Sequence, residues 1–70
     1  MQNIYIKDDF IKLGQAMKLA NIVYSGADAK EVINEGLVEV NGEVCTMRGK
    51  KLVEGDIFSF EGQEIKVNKR

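Results

Sequence analysis

The sequence predicts an α+β fold, with two short helices packed on one side of a small, mostly antiparallel sheet. Three observations predict it. Two stretches in the first half of the chain repeat apolar residues at helical spacing. An Asn-Gly pair, Asn41-Gly42, separates two runs of strand character. From there to the C-terminus, short β-branched and aromatic runs alternate with glycine-containing turns. A strand, two helices and three or four further strands in that order place the helices together against one sheet.

The first strand is Ile4-Tyr5-Ile6, and a small sheet would benefit from its pairing with the last strand, which the sequence leaves open. Asp8 or Asp9 then caps a helix, because a carboxylate accepts the free N–H groups of a first turn. Its apolar stripe is Phe10, Leu13, Met17 and Ala20, widened by Ile11 and Leu19, with Lys12 and Lys18 outside it. A connection of about four residues leads to the second helix. Ser25 is the natural N-cap of that helix, which starts near Gly26 and turns Ala29, Val32 and Ile33 to the core. Gly36 ends it, since glycine adopts the left-handed cap conformation at little cost. Val38-Glu39-Val40 has the period of a half-buried strand, and Asn41-Gly42 suits a type I′ turn that needs positive φ at both positions. Glu43 to Thr46 is the return strand, with Cys45 as a small buried hydrophobe. Met47 to Lys51 is a basic loop around Gly49, and Leu52 to Asp56 is a turn. Ile57 to Phe60 and Gln63 to Val67 are the last two strands, joined at Glu61-Gly62. Phe10, Phe58 and Phe60 read as core.

Seventy residues suffice for one domain, residues 1–70, with a modest core. Hydrophobic residues make up 44% of the chain, enough for that core, and the 30% of charged residues are mixed in sign, which argues against disorder. A single cysteine and no histidine exclude a Cys/His zinc site, an internal disulfide and any nucleophile paired with histidine. Neither an apolar span nor a basic, apolar leader is evident, so a cytoplasmic location is expected, with no membrane partner. No glycine-rich nucleotide loop precedes a helix, and no spacing marks a catalytic carboxylate pair, so no enzyme, cofactor or small-molecule substrate is expected.

The net charge is −1 and the isoelectric point about 5.3, the wrong sign for a simple electrostatic binder of nucleic acid. Its distribution is uneven. Cys45 to Val53 carries Arg48, Lys50 and Lys51 and no acid, whereas Glu54 to Glu64 carries Glu54, Asp56, Glu61 and Glu64 and no base. Such segregation can set opposite fields on opposite faces.

Four features each admit two readings. Ser25 to Lys30 is either an ordinary N-cap or a phosphate site at a helix N-terminus, where Gly26 allows close approach. Lys12, Lys18 and Lys30 are either solvated lysines or the lining of one groove. Spacing alone does not align the first two, because six helical residues rotate by about 240°. Arg48, Lys50 and Lys51 form either a solubilising loop or a set of phosphate contacts. Tyr24 either closes the core edge or stacks on an unpaired base.

Taken in order, the chain resembles the S-four RNA-binding domain, also called the alpha-L RNA-binding motif. The matching residues are Lys12-Leu13 and Lys18-Leu19-Ala20, then Ser25 with Ala29-Lys30, Glu35-Gly36, Val38-Glu39-Val40-Asn41-Gly42-Glu43 and Gly55-Asp56. They span residues 12–58, and Ser25 to Lys30 is most similar to a small stand-alone bacterial subfamily. The chain departs from many members at Gly26, where they carry arginine, and at Glu31, where a second cation is common. Both departures remove positive charge from the expected RNA face. The resemblance implies the alpha-L fold and a non-catalytic protein that docks on structured RNA, such as ribosomal RNA or an assembling ribosomal subunit. It implies RNA contacts at Lys12, Lys18, Ser25, Gly26, Lys30, Arg48, Lys50 and Lys51. The alternative, favoured by the low isoelectric point and Glu31, is a protein–protein interaction module on the same fold.

Overall fold

A computed structural model describes residues 1–70. The elements in chain order are β1 (Gln2–Ile6), β2 (Ile11–Lys12), α1 (Leu13–Leu19), α2 (Gly26–Asn34), β3 (Val38–Val40), β4 (Glu43–Val44), β5 (Lys51–Leu52), β6 (Ile57–Phe60) and β7 (Gln63–Lys69). Five strands form one sheet in the order β1-β7-β6-β3-β4, and β2 pairs with β5 in a separate two-stranded ladder. This is the expected α+β arrangement. The first strand does pair with the last. β1 lies parallel to β7, with Ile4 opposite Val67, while every other pairing is antiparallel. A parallel neighbour needs a long crossover, and both helices lie within it.

One sheet face meets the helices. Ile4 and Ile6, Val38 and Val40, Phe58 and Phe60, and Ile65 and Val67 point inward at strand period. Leu13, Ala16, Met17 and Ala20 from the first helical region close over them with Ala29 and Ile33 from α2 and Leu52 from β5. No polar side chain is buried. The opposite sheet face carries Tyr5, Glu39, Ser59, Glu64 and Lys66.

Local signals explain the element ends. Ser25 is extended, and its hydroxyl accepts from the Asp28 N–H at 3.2 Å, capping α2. Gly36, at φ 76°, closes α2 in a Schellman arrangement, with Gly36 N donating to Ile33 O and Leu37 N to Val32 O. Asn41 and Gly42 have φ of 51° and 86°, the two left-handed positions of the expected tight hairpin. Glu61 and Gly62 repeat that geometry between β6 and β7.

Several expectations are corrected. α1 begins at Leu13, and neither Asp8 nor Asp9 caps it, because its N-cap is Lys12 with no side-chain cap. Ile11 and Lys12 are drawn instead into the ladder with Leu52 and Lys51. Phe10 therefore lies outside the helix and is 39% exposed rather than core, and Leu19 is half exposed. The return strand spans only Glu43–Val44. Cys45 falls in the connection beyond it and is half-buried. Leu52 is not part of a turn but a fully buried strand residue, since it faces the core from the ladder. Tyr24 does not close the core edge, because its side chain stands fully in solvent.

Candidate nucleic-acid interface

The candidate interface is organised by the way α1 starts. A helix leaves its first N–H groups without partners. Here Leu13 N donates to Lys50 O at 2.8 Å and Gly14 N to Arg48 O at 3.0 Å. Backbone carbonyls of the basic loop thus do the work expected of Asp8 or Asp9, and they pin the loop onto the helix. The ladder between β2 and β5 holds the loop from its other end. The approach leaves room at Gly14 for no more than a small side chain. A Cβ at that position would lie 3.7 Å from Arg48 Cβ and 3.8 Å from Ala29 Cβ, so a larger side chain would force loop and α2 apart.

The result is a shallow cavity between α1, the start of α2 and the loop. Lys12, Gln15, Lys18 and Arg48 line it with Gly14, Gly26 and Gly49, and no carboxylate or apolar side chain is among them. Lys12 and Lys18 converge because Lys12 is not helical. Its extended conformation, φ −75° and ψ 145°, removes the helical rotation that would have separated them. Arg48 arrives from a segment thirty residues beyond Lys18 in sequence.

The remaining predicted residues fall around this cavity in different ways. Gly26 lies on its wall, and nothing stands within 4 Å of a Cβ added there. Lys30 sits one helical turn beyond Gly26, on the same side of α2. Ser25 is adjacent, with its hydroxyl engaged in the cap. Lys51 is paired across the ladder with Lys12, and its ammonium lies over the Phe10 ring, 4.8 Å from the centroid. Lys50 lines a different concavity with Val40, Asn41, Val44 and Met47. The structure therefore gathers Lys12, Lys18, Gly26 and Arg48, flanks them with Lys30 and Lys51, and turns Lys50 away.

The electrostatics are one-sided. The molecule holds one ion pair, Lys69 Nζ to Asp9 Oδ1 at 2.6 Å. None of Lys12, Lys18, Lys30, Arg48, Lys50 and Lys51 has a carboxylate partner within 4.0 Å. Lys12 directly opposite Lys51 is a like-charge cross-strand pair, an unfavourable arrangement for stability alone. Unpaired cations around a concave, acid-free surface concentrate positive potential that an anion can use.

Two contributors escaped the sequence reading. Gly14 and Gln15 line the cavity, and the available signal was a glycine inside a helical pattern, where it costs about 1 kcal/mol against alanine unless packing requires it. The second is a bond between two separately legible motifs. Asn41 Nδ2 donates to Asp56 Oδ1 at 3.1 Å, Asn41 Oδ1 accepts from Ile57 N at 3.0 Å, and Asp56 Oδ2 accepts from Val53 N at 2.8 Å. The Asn-Gly hairpin and the Gly-Asp turn are thereby one unit, which fixes the exit of β5 and with it one end of the basic loop.

Comparison with known proteins bears on the family and the fold. The family described as "S4 domain" matches residues 4–68. The "Probable ribosome maturation protein RlbA" of Bacillus subtilis (strain 168) is 44% identical over 59 residues, covering 84% of this chain and 83% of its own. YbcJ of Escherichia coli (strain K12) is 39% identical over 61 residues, 87% of each chain. The solution structure of YbcJ from E. coli superposes with a TM-score of 0.75 at 36% identity, covering 97% of this chain and 87% of that one, and is described as revealing an alfaL motif involved in RNA-binding.

Proposed function

The chain belongs to the S4-domain family, and from that premise we propose that it is a non-catalytic RNA-binding protein docking on structured RNA, namely ribosomal RNA or an assembling ribosomal subunit. The observation that carries this reading is the acid-free cavity in which Lys12, Lys18 and Arg48 stand without ion-pair partners. Phosphate oxygens are the complementary ligand, since arginine and lysine bind them with charge-assisted hydrogen bonds. Recognition is mainly by shape, because A-form RNA hides its base edges in a deep, narrow groove. Ribosomal RNA is preferred among RNAs because the Bacillus subtilis relative carries ribosome maturation in its name. The reading places the protein in the cytoplasm, and no helix of the chain is long and apolar enough to cross a membrane. It also takes residues 1–70 as one functional domain.

A filter-binding titration against ribosomal RNA at two salt concentrations tests the proposal. Four to six neutralised phosphates give a log–log slope of about −3.6 to −5.4. Tight binding that ignores salt would overturn it. A second reading, a protein-binding module, draws on exposed Val44 and Met47, which line a concavity beside β4. That reading requires an apolar interface whose affinity survives moderate salt.

A further inference from the structure

We propose that Tyr24 is a stacking platform for an unpaired nucleobase, so that the preferred RNA carries a bulged or flanking unpaired nucleotide beside the helix whose phosphates enter the cavity. The inference rests on the RNA-binding reading and narrows its substrate class.

The argument begins with the fate of the five aromatic side chains. Phe58 and Phe60 are buried in the sheet. Phe10 already has the Lys51 ammonium over its ring. Tyr5 lies between inward-facing Ile4 and Ile6, so it belongs to the sheet face away from the helices. Tyr24 differs from all of these. Its relative exposure is 101%, so no part of the protein covers either face of its ring. It also stands two residues before Gly26, which forms part of the cavity wall. Two Cα steps of about 3.8 Å keep its backbone within about 8 Å of that wall. An aromatic ring with both faces free, beside cations without partners, has the two parts that single-stranded nucleotides need: a plane for the base and positive charge for its phosphate. The hydroxyl makes no hydrogen bond within the protein, and stacking does not require one.

The test compares two probes at low salt, a blunt RNA duplex and the same duplex with one 2-aminopurine bulge. Wild type is expected to bind the bulged duplex more tightly, by about 5- to 160-fold, the usual worth of one stacked base, and to quench the 2-aminopurine fluorescence. Tyr24→Ala removes both the margin and the quench while leaving blunt-duplex affinity unchanged. Tyr24→Phe retains them, and Tyr5→Phe has no effect. Because the ring touches nothing, the Tyr24 variants keep the fold, which circular dichroism checks. Equal binding of the two probes by wild type, or an undiminished margin in Tyr24→Ala, overturns the stacking role and leaves RNA binding intact. Failure of wild type to bind either probe while it still binds ribosomal RNA overturns the stacking role alone, and failure to bind ribosomal RNA as well overturns the RNA-binding reading and the stacking role with it.

Discussion

Gly26→Arg should turn this protein into a tighter RNA binder. The site accepts the change. Outside its own helix backbone and chain neighbours no atom lies within 4 Å of a Cβ at Gly26, and the residue is the first of α2, without a left-handed φ. At this first helical position the backbone gain from replacing glycine is offset by a cation at the positive end of the helix dipole, about 0.3–1 kcal/mol, so stability should change little. The new guanidinium joins Lys12, Lys18 and Arg48 around a cavity with no acid. The three cavity cations contribute about −2.7 to the salt slope, and a fourth deepens it by about 0.9. Carried from 1 M to 0.1 M salt, one added contact amounts to about an eightfold gain in affinity. Filter binding to ribosomal RNA over a salt series measures both quantities. Ser59→Arg is the control, because it adds the same charge on the sheet face away from the helices, between Glu39 and Glu64. The reasoning fails if Gly26→Arg changes neither affinity nor slope. It fails equally if Ser59→Arg matches it, because net charge rather than a defined face would then govern binding.

Four further outcomes follow from the same structure. Replacing Lys12, Lys18 and Arg48 together with glutamine should flatten the salt slope by about 2.7 while the urea midpoint stays or rises, since none has a partner and the repulsion between Lys12 and Lys51 is relieved. Asn41→Ala and Asp56→Ala should each cost about 1–2 kcal/mol in urea denaturation, and the double variant should cost less than their sum, because both remove the same bond. Gly14→Ala, whose Cβ meets only ordinary contacts, should be neutral or stabilising by up to about 1 kcal/mol, whereas Gly14→Leu should displace Arg48 and weaken RNA binding in the same filter assay. Asp9→Asn should lower the urea midpoint near neutral pH and match wild type in strong acid. The hydrogen bond from Lys69 holds the Asp9 carboxyl below the usual carboxylate range, so its contribution is present above that range and lost as pH falls through the lowered pKa. The Lys69 ammonium, raised by the same bond, releases the pair only as pH climbs past its own raised pKa.

Much of the fold was legible because short-range chemistry determines it. Ser25 caps its helix through its own hydroxyl, Gly36 ends that helix through a backbone freedom no neighbour supplies, and Asn41-Gly42 turns the chain through two positive φ angles. The alternation of Val38 and Val40, Phe58 and Phe60, and Ile65 and Val67 encodes the buried sheet face within each strand. The family could be read for the same reason, since its marks are those local signals in a fixed order.

What the sequence could not decide depends on partners distant along the chain. The parallel seat of β1 on β7 joins the two ends of the protein, and no local pattern specifies it. The start of α1 was misplaced because its capping acceptors are carbonyls of Lys50 and Arg48, which any residue could supply, so they leave no trace in side-chain identity. The same bonds bring Arg48 to Lys12 and Lys18. Charge order along the chain announced a basic loop, but only long-range pairing decided that Arg48 faces the cavity, that Lys50 faces away, and that Tyr24 is left uncovered in water. Local conformation is set by each residue's own stereochemistry and hydrogen bonds, whereas a binding surface is set by which remote segments close against each other, and that closure is a property of the packed molecule.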